Sequence, residues 1–454
     1  MTDPLEVDVV IGGGGVAGTA AAIALQQLGY HVVVIEPGQH DERRLAGEVF
    51  HPPGVAGLAE LGLLPALMTG SIATINGFCV FSEGECIRLP YDCVPAHSKG
   101  GLCLEHGLIR ARLMKAASAL PSVTVKDGAR VVGIDQSDAS RVVVDVASDG
   151  AIKRYRCQML IAADGSPSRL ARLAGIAVQD RRISTMVGYR ISMQNLADPE
   201  YGSVYLGGEA PILVYPIGCG QARVLFDTPY QSGRQVTAAN CLALAEAMPL
   251  ALRQEVAEAI ATHPRMSVST RASSPESSVR GRVVLVGDAG GSCHPLTATG
   301  MTMCVGDALL LRRALMARPD SPVDALRLYE QRRRWPQTTR LLLAQALREA
   351  FIGATPEMRV VRRGMLSHWR RSPSGRIATL ALLSTADGRP LSLLRQIATV
   401  MMRGLVDHFC SRTSNERETT IRLAKALVAN LLRNVHEILR LSRLPFRQHG
   451  APAE

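Results

Sequence analysis

Apolar and polar positions fall into three kinds of order along this chain. Near the start, an apolar run over residues 7–11 enters four glycines, a small-residue segment rich in alanine follows at 20–24, and a second apolar run ends on Glu36. That pattern predicts a strand, a tight turn, a helix and a strand closed by an acid. A short helix with Gly62 interrupting it is expected around Leu58, Leu61, Leu63 and Leu64. Over 77–91 the period shortens to that of strands, with Glu83-Gly84 as a hairpin turn. Helical spacing returns at 106–120, where Ile109, Leu113, Ala116 and Ala117 share a face.

Strands are expected at 123–125, 131–134 and 142–146, and again at 159–163, where the run stops at Asp164-Gly165. Four strand-like stretches between 183 and 228 read as a sheet-rich insertion, and 236–261 reads as helical. A buried strand over 283–286 runs into Gly287-Asp288, and a Gly/Ser/Thr loop then precedes a helix begun near Gly300. From Leu341 on, the chain is helical and rich in arginine. There Leu427, Leu431, Val435, Ile438 and Leu441 recur at three-to-four-residue steps.

The totals bound this picture. A chain of 454 residues with 47 % apolar content predicts two or three domains with a large core. Aromatic residues make up only 4 %, which argues against a base-stacking surface for nucleic acid. Ten cysteines without a C-x-x-C pair point to reduced thiols and a cytoplasmic setting. The net charge of +11 is concentrated at one end: from Arg340 on there are 19 Lys/Arg against 8 Asp/Glu. The late amphipathic stripe therefore serves either to dock a helix on its own domain or to lay it on anionic lipid. An acidic start and a five-residue first apolar run predict no signal peptide, and no run approaches the ~20 residues that span a bilayer.

The chemistry is concentrated in loops after strands. Gly13, Gly15 and Gly18 have the G-x-G-x-x-G spacing of a dinucleotide turn, and Glu36 stands where a ribose hydroxyl needs an acceptor. An acid there favours FAD or NAD over NADP. Asp164-Gly165, followed by Ser168 and Arg172, is either an ordinary turn or a second cofactor loop. Arg43 and Arg44 are either solvated charges or contacts to the nucleotide phosphates. Asp288, at a strand's carboxyl end beside a helix N-terminus, suits a polyol with an adjacent phosphate. His294 has no second ligand at helical spacing, so no metal is expected.

The glycine turn ending in Glu36, the Asp164-Gly165 loop and the Gly287-Asp288 strand end, in this order and spacing, resemble the flavoprotein monooxygenases of the para-hydroxybenzoate hydroxylase fold. Within them the chain looks most like the squalene epoxidases, on the evidence of Arg44-Leu45-Ala46-Gly47-Glu48, the phrase from His294 to Thr302 with Asp307 following, and the strand from Pro211 to Ile217. The resemblance implies an α/β fold in which a Rossmann-type FAD-binding domain (1–76, 97–180 and 275–330) carries an inserted β-sheet substrate domain (77–96 and 181–274). A basic helical region (331–454) completes it. It implies that Gly13, Gly15, Val16, Ala17, Gly18, Glu36, Pro37 and Arg44 hold the adenosine diphosphate half of FAD. Val131 would lie by the adenine, Asp164 in a cofactor-side loop and Asp288 at the pyrophosphate and ribityl. Pro295, Gly300 and Met301 would approach the flavin ring.

The activity so implied is insertion of one oxygen atom from O₂, by epoxidation or hydroxylation, into a hydrophobic substrate. NAD(P)H or a separate reductase would supply electrons, with peripheral contact to an anionic membrane. An aromatic-ring hydroxylase, a flavin-dependent reductase of isoprenoid double bonds and a non-catalytic flavin- or lipid-binding protein are the alternatives. A halogenase is disfavoured because Trp335 and Trp369 form no W-x-W-x-I-P stretch. Two departures bear on the substrate: Phe78 stands where the family has a tyrosine, and His51 where it has a glutamine. His51 is the expected polar group at the substrate. Met114 replaces an expected arginine, with Arg110 and Arg112 nearby as substitutes.

Overall fold

The structure, a computed structural model, describes residues 3–38, 45–94, 100–229, 236–410 and 417–442. Its organising layer is a six-stranded sheet in the order Val279–Arg280, Val283–Leu285, Met159–Ala162, Val9–Gly12, Val32–Glu36 and Val123–Asp127. All neighbours are parallel except the first pair. Parallel strands are covered on both faces, which is why three of these segments read as unbroken Val/Ile/Leu runs. Their register pairs Ala162 with both Gly12 and Leu285, and Gly12 with Ile35. Gly13, Glu36, Asp164 and Asp288 therefore leave or end four neighbouring strands along one carboxyl edge.

Helix Val16–Gln26 is buried along almost its whole length, and its alanines let it lie close to this sheet and to helix Gly300–Ala317. A second, seven-stranded sheet runs Met266–Pro275, Val178–Ser192, Gln221–Pro229, Ile212–Gly218, Gly202–Tyr205, Gly77–Ser82 and Glu85–Pro90. Glu83 and Gly84 both take positive φ (54° and 80°), the hairpin geometry whose twist matches its strands. One face of this sheet, with Phe78, Leu89, Leu213, Tyr215 and Leu225, shares a core with the C-terminal helices. A four-stranded and a three-stranded sheet complete the β-structure of the described residues.

The C-terminal helices are Pro322–Ile352, Pro356–Arg371, Pro373–Leu383, Pro390–Cys410 and Arg417–Ser442. The first three begin with proline behind Ser321, Thr355 and Ser372, whose hydroxyls each accept a backbone N–H of the first turn. Helices thus begin at Pro322 rather than Leu341. The helix expected over 236–261 is two, Ala238–Ala245 and Leu250–Thr262, broken at Pro249, which cannot donate within a helix.

Strands Ala151–Cys157 and Met266–Pro275 were not expected. Lys153, Arg154 and Arg156 mask the first, and a run of serines masks the second. The late stripe docks inward, with Leu427 and Ile438 buried in the shared core and Leu431 packed against it. All ten cysteines are free thiols.

Candidate active site

Gly13 leaves its strand at φ +111°, donating to the Ile35 carbonyl (2.8 Å); a Cβ there would lie 2.5 Å from the Ala163 carbonyl oxygen. A side chain on Gly18 would collide with the Gly13 carbonyl, so this glycine is what lets the helix approach the turn. A Cβ on Gly15, the residue capping the helix, meets nothing within 4 Å. The helix N-terminus, flanked by buried Val16 and Ala17, thus opens onto free space where its dipole favours an anion. These observations fit the diphosphate of a dinucleotide such as FAD.

Glu36 closes the turn. Its Oε2 accepts the Gly14 N–H (2.6 Å) and its Oε1 accepts that of Gly38 (3.2 Å), next to the half-buried Pro37. Arg110 Nη2 stands 4.0 Å from Glu36, whereas Arg112 donates to the Leu67 carbonyl (2.8 Å). Of the two arginines near Met114, Arg110 is therefore the one on this side. Val131 is buried beside the turn, its side chain 3.5 Å from a Cβ built on Gly12. Arg43 and Arg44 lie outside the described residues.

Asp164 accepts the Ser168 hydroxyl (2.7 Å) and the backbone N–H groups of Arg169 (2.7 Å) and Leu170 (2.9 Å), so it caps the short helix Arg169–Leu173. Asp288 follows its strand through Gly287 (φ +59°) and keeps its carboxylate 46 % exposed at the open edge. Gly300 and Met301 begin the next helix, with Met301 packed under Gly47. Pro295 is exposed on the 3₁₀ turn Pro295–Thr297.

Two histidines brace that turn from opposite sides. His51 is fully buried; its Nε2 lies 2.8 Å from the Thr297 carbonyl and its Nδ1 2.7 Å from the Tyr91 hydroxyl. A carbonyl only accepts, so Nε2 carries the proton and Nδ1 accepts from Tyr91. Burial holds the Tyr91 phenol well above its ordinary pKa, which keeps it the donor. The backbone N–H of His51 donates to Thr302 Oγ1 (2.9 Å), tying in the Gly300 helix. Phe78 packs against both rings. His51, expected as a polar group facing the substrate, is thus committed to the protein on both ring nitrogens.

On the other side His294 Nδ1 accepts the Leu296 N–H (3.2 Å), which directs Nε2–H toward Ser184 Oγ (2.9 Å) and Asp227 Oδ1 (3.2 Å). Arg348 donates to the other Asp227 oxygen (3.0 Å). Burial opposes ionisation of Asp227, but the hydrogen bond from His294 and the charge of Arg348 outweigh it and hold the carboxyl below its ordinary range. Glu48, also buried, is gripped by Arg223 through two hydrogen bonds (3.0 and 2.7 Å) and accepts the Tyr215 hydroxyl (3.1 Å). This fixes the segment leading to His51 on the seven-stranded sheet.

Tyr91, Arg223, Asp227, Arg333 and Arg348 were not singled out beforehand. A signal existed for two: Arg223 and Asp227 sit inside an otherwise apolar strand pattern, where a charge is buried only if paired.

The squalene epoxidase family model matches residues 156–421, more than half the chain, and a pyridine nucleotide-disulphide oxidoreductase model matches 7–190. Squalene monooxygenase of Mus musculus is 28 % identical over 427 residues, covering 91 % of this chain and 73 % of that protein. A squalene epoxidase of Schizosaccharomyces pombe is 25 % identical over 425 residues, covering 89 % and 92 %. In fold, p-nitrophenol 4-monooxygenase of Pseudomonas putida matches with a TM-score of 0.71 at 19 % identity, over 86 % of this chain and 98 % of that one. The FAD complex of HpxO from Klebsiella pneumoniae matches with a TM-score of 0.70 at 22 % identity, over 85 % and 100 %.

Proposed function

The chain belongs to the squalene epoxidase family and is an FAD-dependent monooxygenase; from that premise we propose that it transfers one oxygen atom to a double bond of a hydrophobic, isoprenoid-like substrate at a membrane surface. The carrying observation is a juxtaposition. The turn that holds Pro295 and Leu296, beside the start of the Gly300 helix, meets an apolar wall made by Phe78, Leu213 and Tyr215. That core continues into the C-terminal helices, where Leu347, Met365, Trp369 and Met401 line a cavity of about 80 Å³.

FAD, when bound and reduced, supplies the activation of O₂. The protein's part is to hold, orient and keep dry. Gly13, Gly15, Gly18 and the helix N-terminus hold the diphosphate. Glu36 with Pro37 and Arg110 would bound the ribose, Val131 the adenine, and Asp288 the ribityl section, with Asp164 setting the neighbouring loop. Gly300 and Met301, at the start of their helix, would lie beside the flavin ring, and the family motif would add Arg44 to the residues that hold the cofactor.

His51 acts as a positioning residue: its Nε2–H fixes the Thr297 carbonyl and so the Pro295 turn, beside which the flavin would be held. Phe78 offers an aromatic edge where the family resemblance expected a hydroxyl. This favours an apolar substrate other than squalene itself.

Two helix faces support the membrane setting. Met402, Val406 and Phe409 point outward at steps of four and three, and on the last helix Val428, Leu432 and Leu439 do so opposite its docked face. No helix among the described residues is long and apolar enough to cross a bilayer. The test is O₂ uptake by the FAD-loaded protein with NAD(P)H, alone and with a reductase, on vesicle-dissolved isoprenoid alkenes. Alkene-dependent uptake is expected. Uptake driven only by phenolic rings would move the reading to an aromatic hydroxylase, and alkene turnover without O₂ would move it to a reductase.

A further inference from the structure

The helix Pro322–Ile352 turns one polar face toward the Gly287–Gly291 segment, with Arg333, Gln337 and Arg340 at steps of four and three. Arg333 is saturated. It pairs with Asp307 (2.9 Å) and donates to the carbonyls of Gly290 (2.5 Å) and Gly287 (3.1 Å), while Asp307 accepts the Gly287 N–H (2.8 Å). Its charge and its donors are spent within the protein.

The other two are not. Arg340 is 3 % exposed and donates to the Gly291 carbonyl (2.5 Å), but its Nε has no partner, and the carboxylate it faces, that of Asp288, is 4.0 Å away. Gln337 is 8 % exposed, and neither its amide nitrogen nor its amide oxygen has a partner. Its nitrogen occupies the place a side chain on residue 291 would take, which with φ +124° makes that position glycine. A buried amide left without a hydrogen bond is destabilising, and a methionine of the same shape avoids that cost. Three unused polar atoms and a weakly paired cation thus converge beneath a strand end whose carboxylate is open to the outside.

We propose that Gln337 and Arg340 form a polar socket under the Asp288–Gly291 turn that is completed by the diphosphate–ribityl section of FAD, directly or through one ordered water. Arg340 is a positioning residue within it. Its guanidinium offsets the repulsion between the Asp288 carboxylate and an anionic diphosphate. The inference rests on the assignment of Asp288 to FAD. It gives the C-terminal helical region a part in cofactor binding that its basic surface alone does not suggest.

The experiment uses the full chain stripped of flavin, titrated with FAD by fluorescence quenching, with thermal unfolding followed in the presence and absence of FAD. Gln337→Met is expected to leave the FAD-free melting point equal or higher, while weakening FAD roughly fivefold and shrinking the FAD-induced rise in Tm. Arg340→Met is expected to weaken FAD about tenfold and flatten the salt dependence of binding, with Arg340→Lys largely restoring both. If Arg340→Met fails to fold, the Gln337→Met titration decides. Wild-type FAD affinity in Gln337→Met, whatever its stability, would overturn the socket. Failure of the wild-type chain to bind FAD would instead overturn the cofactor assignment, and the socket with it.

Discussion

His51 and Asp227 show how much of this site is held by buried polar bonds rather than by exposed reactive groups. Replacing His51 with alanine removes its hydrogen bonds to the Thr297 carbonyl and the Tyr91 hydroxyl and leaves a buried cavity, so unfolding free energy should fall by about 2–4 kcal/mol, and oxygen transfer should slow while flavin stays bound. Turnover equal to wild type would remove His51 from the positioning of the turn. Arg223→Met leaves Glu48 buried without its cation, and a loss of about 3–5 kcal/mol is expected in urea unfolding.

Asp227 adds a pH dependence with a definite sign. Its folded pKa is depressed, so its contribution is present above the unfolded carboxylate value near ~4 and is lost as pH falls through the folded one. Asp227→Asn should therefore unfold at a urea midpoint that varies less between roughly pH 5 and 2.5 than the wild type does. Equal slopes would show that Asp227 is not held ionised. None of these partners was readable from local spacing. His51 and Thr297 are 246 residues apart and Arg223 and Glu48 are 175 apart, so only the fold brings them together.

The segments legible in advance were those whose pattern is set by their own burial. The runs at Val9–Gly12 and Val283–Leu285 are covered on both faces, and the glycines after the first are required by the turn's own sterics, so neither depends on knowing the partner strands. The charged strand Ala151–Cys157 was not legible, because its order comes from backbone pairing on both sides, with Val142–Ser148 across a tight turn and with Leu5–Glu6 from the start of the chain, and not from an apolar face of its own. The Gly287–Gly291 turn lies between these cases. Its motif was visible, but the helix that clamps it begins 31 residues after its last glycine. Gly291→Ala meets both a left-handed φ and the Gln337 amide, and should cost roughly 1–3 kcal/mol and loosen FAD binding. An unchanged melting point would show that the turn adapts.

Across the whole molecule, the basic excess that looked like a partner surface is divided. Arg340 and much of Arg348 are buried against the turn and Asp227, and the remainder accompanies helices with apolar residues on outer as well as inner faces. Replacing Met402, Val406 and Phe409 together with Asp should reduce co-sedimentation with anionic vesicles about tenfold or more without changing the flavin spectrum. Equal binding would show that this helix face does not contact lipid. With FAD bound along this sheet edge, the protein is proposed to transfer one atom of O₂ to a hydrophobic alkene. That transfer is tested most directly by mass spectrometry of the product formed by the FAD-loaded protein under ¹⁸O₂ from isoprenoid alkenes in vesicles, with squalene as the comparison substrate. The account predicts a product carrying a single heavy oxygen from O₂; product oxygen drawn from water, or alkenes recovered unlabelled while O₂ is consumed, would contradict it.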